Sequence, residues 1–483
     1  MQHGSKKINF IDRKFGDCAF LYIIEAMLEY FVALSVADVY LAKIAAATGM
    51  SDQATAVLTS FVSLGCGFQF LSIFFFRSSK VKKKATSGHI ISQILFTCAY
   101  LIPLATCSGE VKSVLLVIAL LVAQVLHNAV NAPKTDWYMS MLKNEKRGVF
   151  TGIKEIVSLF GGMAFTYGLA FLFDKFEADG NQTGAFICGA VILGTVTVLH
   201  TLTLIFTKEK PDFSEKSASS AQSGEQKTLI KELLRDKTLW KIVFLSSLWS
   251  AANYATLSFS GTYRLNELGF SMTLSAIITA VGSVARAAFS VPLGKFGDKK
   301  GFSALLCLSF LIAAAAYLAM TFTAPANGKV LYTVYYVLHC VAMAGINGSM
   351  INIVYDYVPS YKTSGVLAIK QSISGVVGFL VVLALTPLMT LIQKNGNSVF
   401  GITIYSQQIF AVISLLIVVF LAAYSHFAFG KRKSDTATTA EQSASEINLG
   451  DEKSAPSSGD AISEIAASEQ NGNDLNKDGR DAQ

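Results

Sequence analysis

The chain reads as an all-α integral membrane protein with twelve transmembrane helices in two pseudo-symmetric six-helix bundles. Three observations lead there: its apolar content, the alternation of its basic residues and an internal repeat. Of 483 residues, 52% are hydrophobic and 15% charged, with a mean hydropathy of +0.47. About 20 apolar residues cross a bilayer core, so this content supplies about a dozen spans. A soluble domain of such composition could not cover its surface with polar groups, and 34 Phe and 17 Tyr exclude a disordered or fibrous chain. The alternating segments of a β-barrel are missing, and 36 Gly with 8 Pro suit long helices in close contact.

Hydropathy windows of about 19 residues place the spans near 18–40, 53–76, 88–107, 113–139, 149–173 and 183–207 in the first half. The second half gives 239–260, 272–292, 303–323, 330–354, 365–391 and 405–429. The first span is too long for a cleavable signal and carries Glu25 and Glu29 inside it. Residues 1–17 precede the spans, 18–207 and 239–429 form the two bundles, and the Ser-rich, charged stretch 208–238 connects them. The tail, 430–483, is polar and of low complexity, and its composition predicts a disordered cytoplasmic segment.

The formal net charge of +7 divides unevenly, because six basic and eleven acidic residues fall from Lys431 onward. The remaining positive excess lies in short loops, where it sets topology and does not suggest a nucleic-acid partner. With the N-terminus inside, cytoplasmic segments hold twenty-seven Lys and Arg and the outer loops six, one each at Lys43, Lys112, Lys175, Arg264, Lys329 and Lys394. That bias predicts both termini in the cytoplasm and an inner, multi-pass cell-membrane location. The seven Cys form no CxxC pair and sit mostly in apolar segments as small hydrophobes, so neither metal nor disulfide framework is expected.

The halves repeat. A shift of 216 residues aligns Asn131 with Asn347, Lys154 with Lys370, Ser158 with Ser374 and Gly162 with Gly378. A shift of 220 aligns Gly49, Ser51, Thr59 and Ser63 with Gly269, Ser271, Thr279 and Ser283. Both pair span n with span n+6, the parallel-repeat plan of many transporters.

Between spans eight and nine stands Gly294-Lys-Phe-Gly-Asp298-Lys299-Lys-Gly301, a Gly, three residues, Asp, a basic residue, any residue and Gly. With the twelve spans and the repeat, this motif makes the chain resemble the major facilitator superfamily over residues 18–429. The family's usual copy between spans two and three is reduced here to positive charge around Phe74–Val81. Span four lacks the Arg of many proton-coupled members, and Gly161-Gly162 is followed by Met163 where drug antiporters carry Pro. The resemblance therefore implies movement of a metabolite rather than drug efflux. It also implies that spans one, four, seven and ten face a central cavity and that spans five and eight, and two and eleven, pack across the bundle interface.

Ionisable residues inside spans are costly and mark function by default. They are Glu25, Glu29, Lys134, Asp136, Lys154, Glu155, Arg286 and Lys370, with His127, His200 and His339 as further titrators. At about 1.5 Å per residue, Glu25, Lys154, Glu155, Arg286 and Lys370 fall about 10 Å from the cytoplasmic helix ends, as one charged layer. Glu29 lies one turn deeper, and Glu25 and Glu29 are the proton-coupling candidates. Lys370, Arg286, Lys154, Asn131, Asn253, Asn347 and Tyr336 are the substrate-binding candidates. Asp298, Lys299 and Glu155 are expected at an inner gate, Asp298 capping the N-terminus of span five and Glu155 bridging to Arg286. Mutual neutralisation of these acids and bases is the structural alternative.

No P-loop, HExxH or GxSxG is present, so neither a nucleotide-driven pump nor an enzyme is expected, and no metal or cofactor. The reading is a monomeric secondary transporter in a lipid bilayer, moving a small polar metabolite by alternating access and coupled to a proton or another ion. An organic anion exchanger using Arg286 and Lys370 is the alternative, and a non-transporting sensor of the same fold is another.

Overall fold

The computed structural model describes residues 10–71, 81–143, 147–209, 234–358, 360–399 and 401–429. The expected tail and most of the central connection lie outside these residues. The chain opens with a short helix, α1 (Phe10–Phe15), which Gly16 turns back at φ +131°. A Cβ at Gly16 would stand 2.5 Å from the Met141 carbonyl, so the turn requires glycine. Phe15 thereby packs on Phe150 and joins a core with Tyr22, Trp137 and Tyr138.

Span one is two helices, α2 (Ala19–Ser35) and α3 (Asp38–Ala47), bent by 48° at the break between them. Helix breaks inside a membrane free backbone groups that must find partners. Here the Ser35 carbonyl accepts the Tyr100 hydroxyl at 2.7 Å. Span two is likewise interrupted, as α4 (Asp52–Thr59) and α5 (Phe61–Gly67) followed by a 3₁₀ turn at Phe68–Leu71. The remaining helices of the first half are α6 (Val81–Cys98), α7 (Gly109–Met141), α8 (Arg147–Ala178) and α9 (Gln182–Phe206).

The second half repeats the series with α10 (Lys237–Thr262), α11 (Met272–Lys300), α12 (Phe302–Thr321), α13 (Gly328–Tyr357), α14 (Ser360–Lys394) and α15 (Ser406–Phe429). A two-residue β-hairpin, β1 (Ser398–Val399) with β2 (Ile402–Thr403), joins the last two. Among the described residues eight helices are individually long and apolar enough to cross a membrane, and the bent α2–α3 pair makes nine. The interrupted α4–α5, the Lys-headed α6 and the Ser-rich α10 complete twelve spans, each near an expected position. Their polar content explains why length and apolarity alone pass them over.

Boundaries moved where apolar windows are poor guides. Span three, expected at 88–107, is helical from Val81 to Cys98, because Lys82–Lys84 extend the helix while Pro103 stops its continuation. Helices α11 and α14 also run past their windows, to Lys300 and Lys394. Alternating helices leave the connections at two ends. The near end carries α1. The far end carries the turns at 48–51, 105–108, 179–181, 263–271, 322–327 and 395–405.

Candidate functional site

Two sites emerge, one inside the N-terminal half and one mostly against the C-terminal half, with a seal between the halves at the far end. The seal begins at the break in span one. Asp38 starts α3 with φ +53°, a left-handed conformation that Asp adopts more readily than most residues. Its carboxylate pairs with the guanidinium of Arg264, which lies in the π-helical turn ending α10, is fully buried and stacks on Tyr332. Arg264 therefore corrects the sequence expectation of an outer-loop cation. The helix continues past the apolar window and carries Arg264 into the interface.

Further bonds tie the halves at this end. Asp174 on α8 accepts the first two amides of α11, Met272 N at 3.0 Å and Thr273 N at 2.7 Å. Free N–H groups and the helix dipole at an N-terminus favour a carboxylate there. Asn266 donates to Asp52 at 2.7 Å, and Gln53 donates to Gln393 at 2.5 Å. At mid-depth Ser63 donates to the Gly375 carbonyl at 2.9 Å. A Cβ on Gly375 would meet the Ser63 carbonyl oxygen at 2.5 Å, so α5 and α14 touch backbone to backbone.

At the near end the closest described approach between charged groups of the two halves is Glu155 to Arg286, at 4.0 Å. Their side chains are 59% and 34% exposed, so neutralising one strands no buried charge, contrary to the expectation from span depth. Asp298 and Lys299 are exposed on the last turns of α11. The cap expected from Asp298 falls at the start of α8, where residues 144–146 and the side chains of 147–149 lie outside the described residues. Helices α8 and α11 pack antiparallel, and the Asp174 contact is the same kind of cap at their opposite end.

The first site lies inside the N-terminal half. Lys134 on α7 donates to Glu25 Oε1 at 2.7 Å and to Glu29 Oε2 at 2.5 Å. His200 on α9 is 3.2 Å from Glu25, while His89 on α6 and His127 on α7 stand 3.5 and 3.6 Å from Glu29. Glu25 is fully buried and Glu29 is 18% exposed, so Glu29 forms the accessible edge. With neutral imidazoles, two carboxylates and one ammonium sum to a single negative charge. Donor atoms of Glu25, Glu29, His89 and His200 lie within 4.8 Å of one another, a spacing a metal ion accepts. The Lys134 ammonium already supplies a cation there.

This arrangement corrects the single charged layer. Glu25 points into its own bundle and pairs with Lys134, and Lys154 sits over the Tyr22 ring at 4.7 Å, Nζ to hydroxyl 3.4 Å. Asp136 keeps its place on α7, its side chain outside the described residues.

The second site is a cavity of about 400 Å³, lined mostly by α10, α13 and α14, with Ser63 and Cys66 of α5 on its other wall. Of the substrate-binding candidates, Asn253, Asn347 and Lys370 line it, beside Trp249, Tyr254 and Gln371. Asn131, Lys154, Arg286 and Tyr336 are not in its lining. Asn253 is held by His339 at 3.0 Å, and His339 stacks on Trp249. Sequence reasoning named neither Lys134 nor His89 as site residues, nor Asp174 in the seal. Their roles rest on which helices meet.

Solved structures share this fold. The nucleoside transporter NupG, in a point-mutant form, superposes with a TM-score of 0.65 at 14% identity, covering 86% of this chain and 100% of that one. A D-xylose-proton symporter gives 0.63 at 14% identity, covering 83% and 96%. A bacterial homolog of the human lysosomal transporter Spinster, inward-facing and unoccupied, gives 0.60 at 14% identity, covering 85% and 95%. No curated protein matches the chain. The family model of the Major Facilitator Superfamily matches residues 18–382, most of both helical halves, and the chain belongs to that superfamily.

Proposed function

We propose that the protein is a secondary active transporter that moves a small polar metabolite by alternating access, driven by protons taken up at the Glu25–Glu29 cluster. The observation that carries this reading is that two carboxylates, Glu25 and Glu29, share one ammonium, Lys134, in a buried cluster reached through Glu29. A proton on a Glu29 oxygen leaves Lys134 paired with Glu25 and brings the cluster to neutrality. Buried charge of this kind is costly, so protonation and the movement of the bundle through the membrane are coupled. The cavity beside α10, α13 and α14 is the proposed solute site. The nucleoside transporter and the D-xylose-proton symporter that share the fold support a polar solute and a proton.

The basic bias supports a cytoplasmic near end in the inner cell membrane, with both termini inside. The far-end seal then makes the described state inward-facing, closed outside by Asp38–Arg264 and Asp174. Asp298 and Lys299, with Glu155, are proposed to meet the opposite bundle when the near end closes. The protein acts as a monomer in the bilayer and uses no cofactor.

The test is transport in vesicles under an imposed pH gradient, using the tightest ligand from a thermal-shift screen that includes D-xylose, uridine and carboxylates. Glu29→Gln should abolish uphill accumulation and preserve exchange. Accumulation by Glu29→Gln at the native level would remove the proposed proton site.

A further inference from the structure

Charge is balanced differently in the two sites. The carboxylates of the first share one ammonium. In the second, among the described residues, Lys370 is the one charged residue of the lining and no carboxylate accompanies it. Lys370 is 7% exposed, and the bond the structure gives its ammonium is to the Met350 carbonyl at 3.3 Å. A buried ammonium held by one neutral acceptor retains most of its desolvation cost, and ions in this setting ordinarily pair.

A second observation lies one helical turn away. Ser374 is also 7% exposed and lines the cavity, and its Oγ has no hydrogen-bond partner among the described residues. Residues i and i+4 share a helix face, so Lys370 and Ser374 present an ammonium and a free hydroxyl to the same space. Gln371, also in the lining, bonds the Cys66 thiol and has a second amide N–H beside them. A hydroxyl without a partner, beside a cation without a counter-ion among the described residues, describes the negative of an anionic group.

We propose that the solute carries one carboxylate, seated on Lys370, Ser374 and Gln371, and that this anion is the missing counter-ion of the cavity. The inference rests on the transporter reading and names its substrate class. A single ammonium matches a single negative charge, whereas a phosphate dianion would leave one charge buried and unmatched. The rest of the cavity is uncharged, with the amides of Asn253 and Asn347 and the rings of Trp249 and Tyr254 available to the neutral part of the solute. A volume of about 400 Å³ is that of a small-metabolite pocket.

The experiment uses the purified full-length protein in detergent. Thermal shift and direct binding are compared for glucuronate with glucose, gluconate with glucitol, and lactate with propane-1,2-diol, with chloride and inorganic phosphate as separate arms. At least one carboxylate should bind more than tenfold tighter than its neutral partner. Lys370→Met should erase that preference, while Lys370→Arg keeps part of it. Lys370→Met should also raise the melting temperature of the ligand-free protein, by about 2 °C or more, because it removes an unpaired buried charge. A fall in that temperature would mean that Lys370 is satisfied structurally and would overturn the proposal. So would a neutral partner that binds as well as its carboxylate, phosphate binding ahead of every carboxylate, or a panel without a single carboxylate shift. Counterflow of the bound solute in vesicles separates the two readings. Exchange of glucose with no preference for glucuronate overturns the anion and leaves the carrier standing. Lys370-dependent binding of a carboxylate without exchange supports the anion and overturns the carrier.

Discussion

The N-terminal half pairs its buried charges within itself, while the C-terminal half pairs buried Arg264 with Asp38 across the interface and leaves buried Lys370 without an acid among the described residues. Glu25, Glu29 and Lys134 neutralise one another to within one charge, with three histidines around them. Lys370 faces a cavity with no acid among the described residues of its lining. A self-paired cluster can bind and release a proton without exchanging any other partner. A lone cation at a cavity wall changes state only when something enters. Lys154 and Lys370 hold equivalent places in the two halves, yet Lys154 leans on Tyr22 and Lys370 on the cavity.

Changes that strand buried charge should have the largest effect. Lys134→Met leaves two carboxylates without their shared cation, and breaking a buried pair costs about 3–5 kcal/mol. A sharp loss of folded protein in detergent, partly rescued by adding Glu29→Gln, is the expected result. Survival of Lys134→Met at native stability would mean that the cluster is not held by ion pairing.

The same reasoning applies at the far end, with one charge rather than two. Asp38→Asn keeps a side chain that tolerates the left-handed backbone at this position but removes the partner of buried Arg264. A Cys placed at Asn266 in a Cys-free background should then label faster from the far side. An unchanged rate would show that the seal does not depend on this pair.

A smaller effect is expected at the contact between α5 and α14. Gly375→Ala sets a methyl 2.5 Å from the Ser63 carbonyl oxygen, and overpacking of this kind costs about 1–3 kcal/mol. A lower melting temperature should result, relieved in part by Ser63→Gly only if the backbone shifts. A neutral or stabilising Gly375→Ala would contradict the close approach. Glu155→Gln stands last. An exposed pair 4.0 Å apart contributes at most about 1 kcal/mol, and the variant should unfold within a degree or two of the native protein.

The spans were legible because a bilayer demands about 20 apolar residues wherever a helix crosses it, and α7, α9 and α15 follow that rule closely. Polar spans such as α10 are still legible in hydropathy windows, and the flanking basic residues fall where topology requires. Pairing between helices was less legible. Glu25 and Glu29 announce a shared face by their spacing, but nothing in the sequence says that Lys134, over a hundred residues away, meets both. Arg264 was misplaced because a single Arg at a span's end resembles a loop charge until the helix is seen to continue through a π turn. Glu155 and Arg286 suffered the opposite error: depth along the chain suggests burial, and both side chains are exposed.

The division of labour between the bundles is tested most directly by the pH dependence of solute binding in two variants, Glu29→Gln and Lys370→Met. In the native protein, affinity should rise as pH falls, because the protonated cluster is the neutral one. Glu29→Gln should bind the solute with an affinity that no longer follows pH, and Lys370→Met should lose binding at every pH. A Glu29→Gln protein whose affinity still rises toward low pH, or a Lys370→Met protein that binds like the native one, would contradict the account.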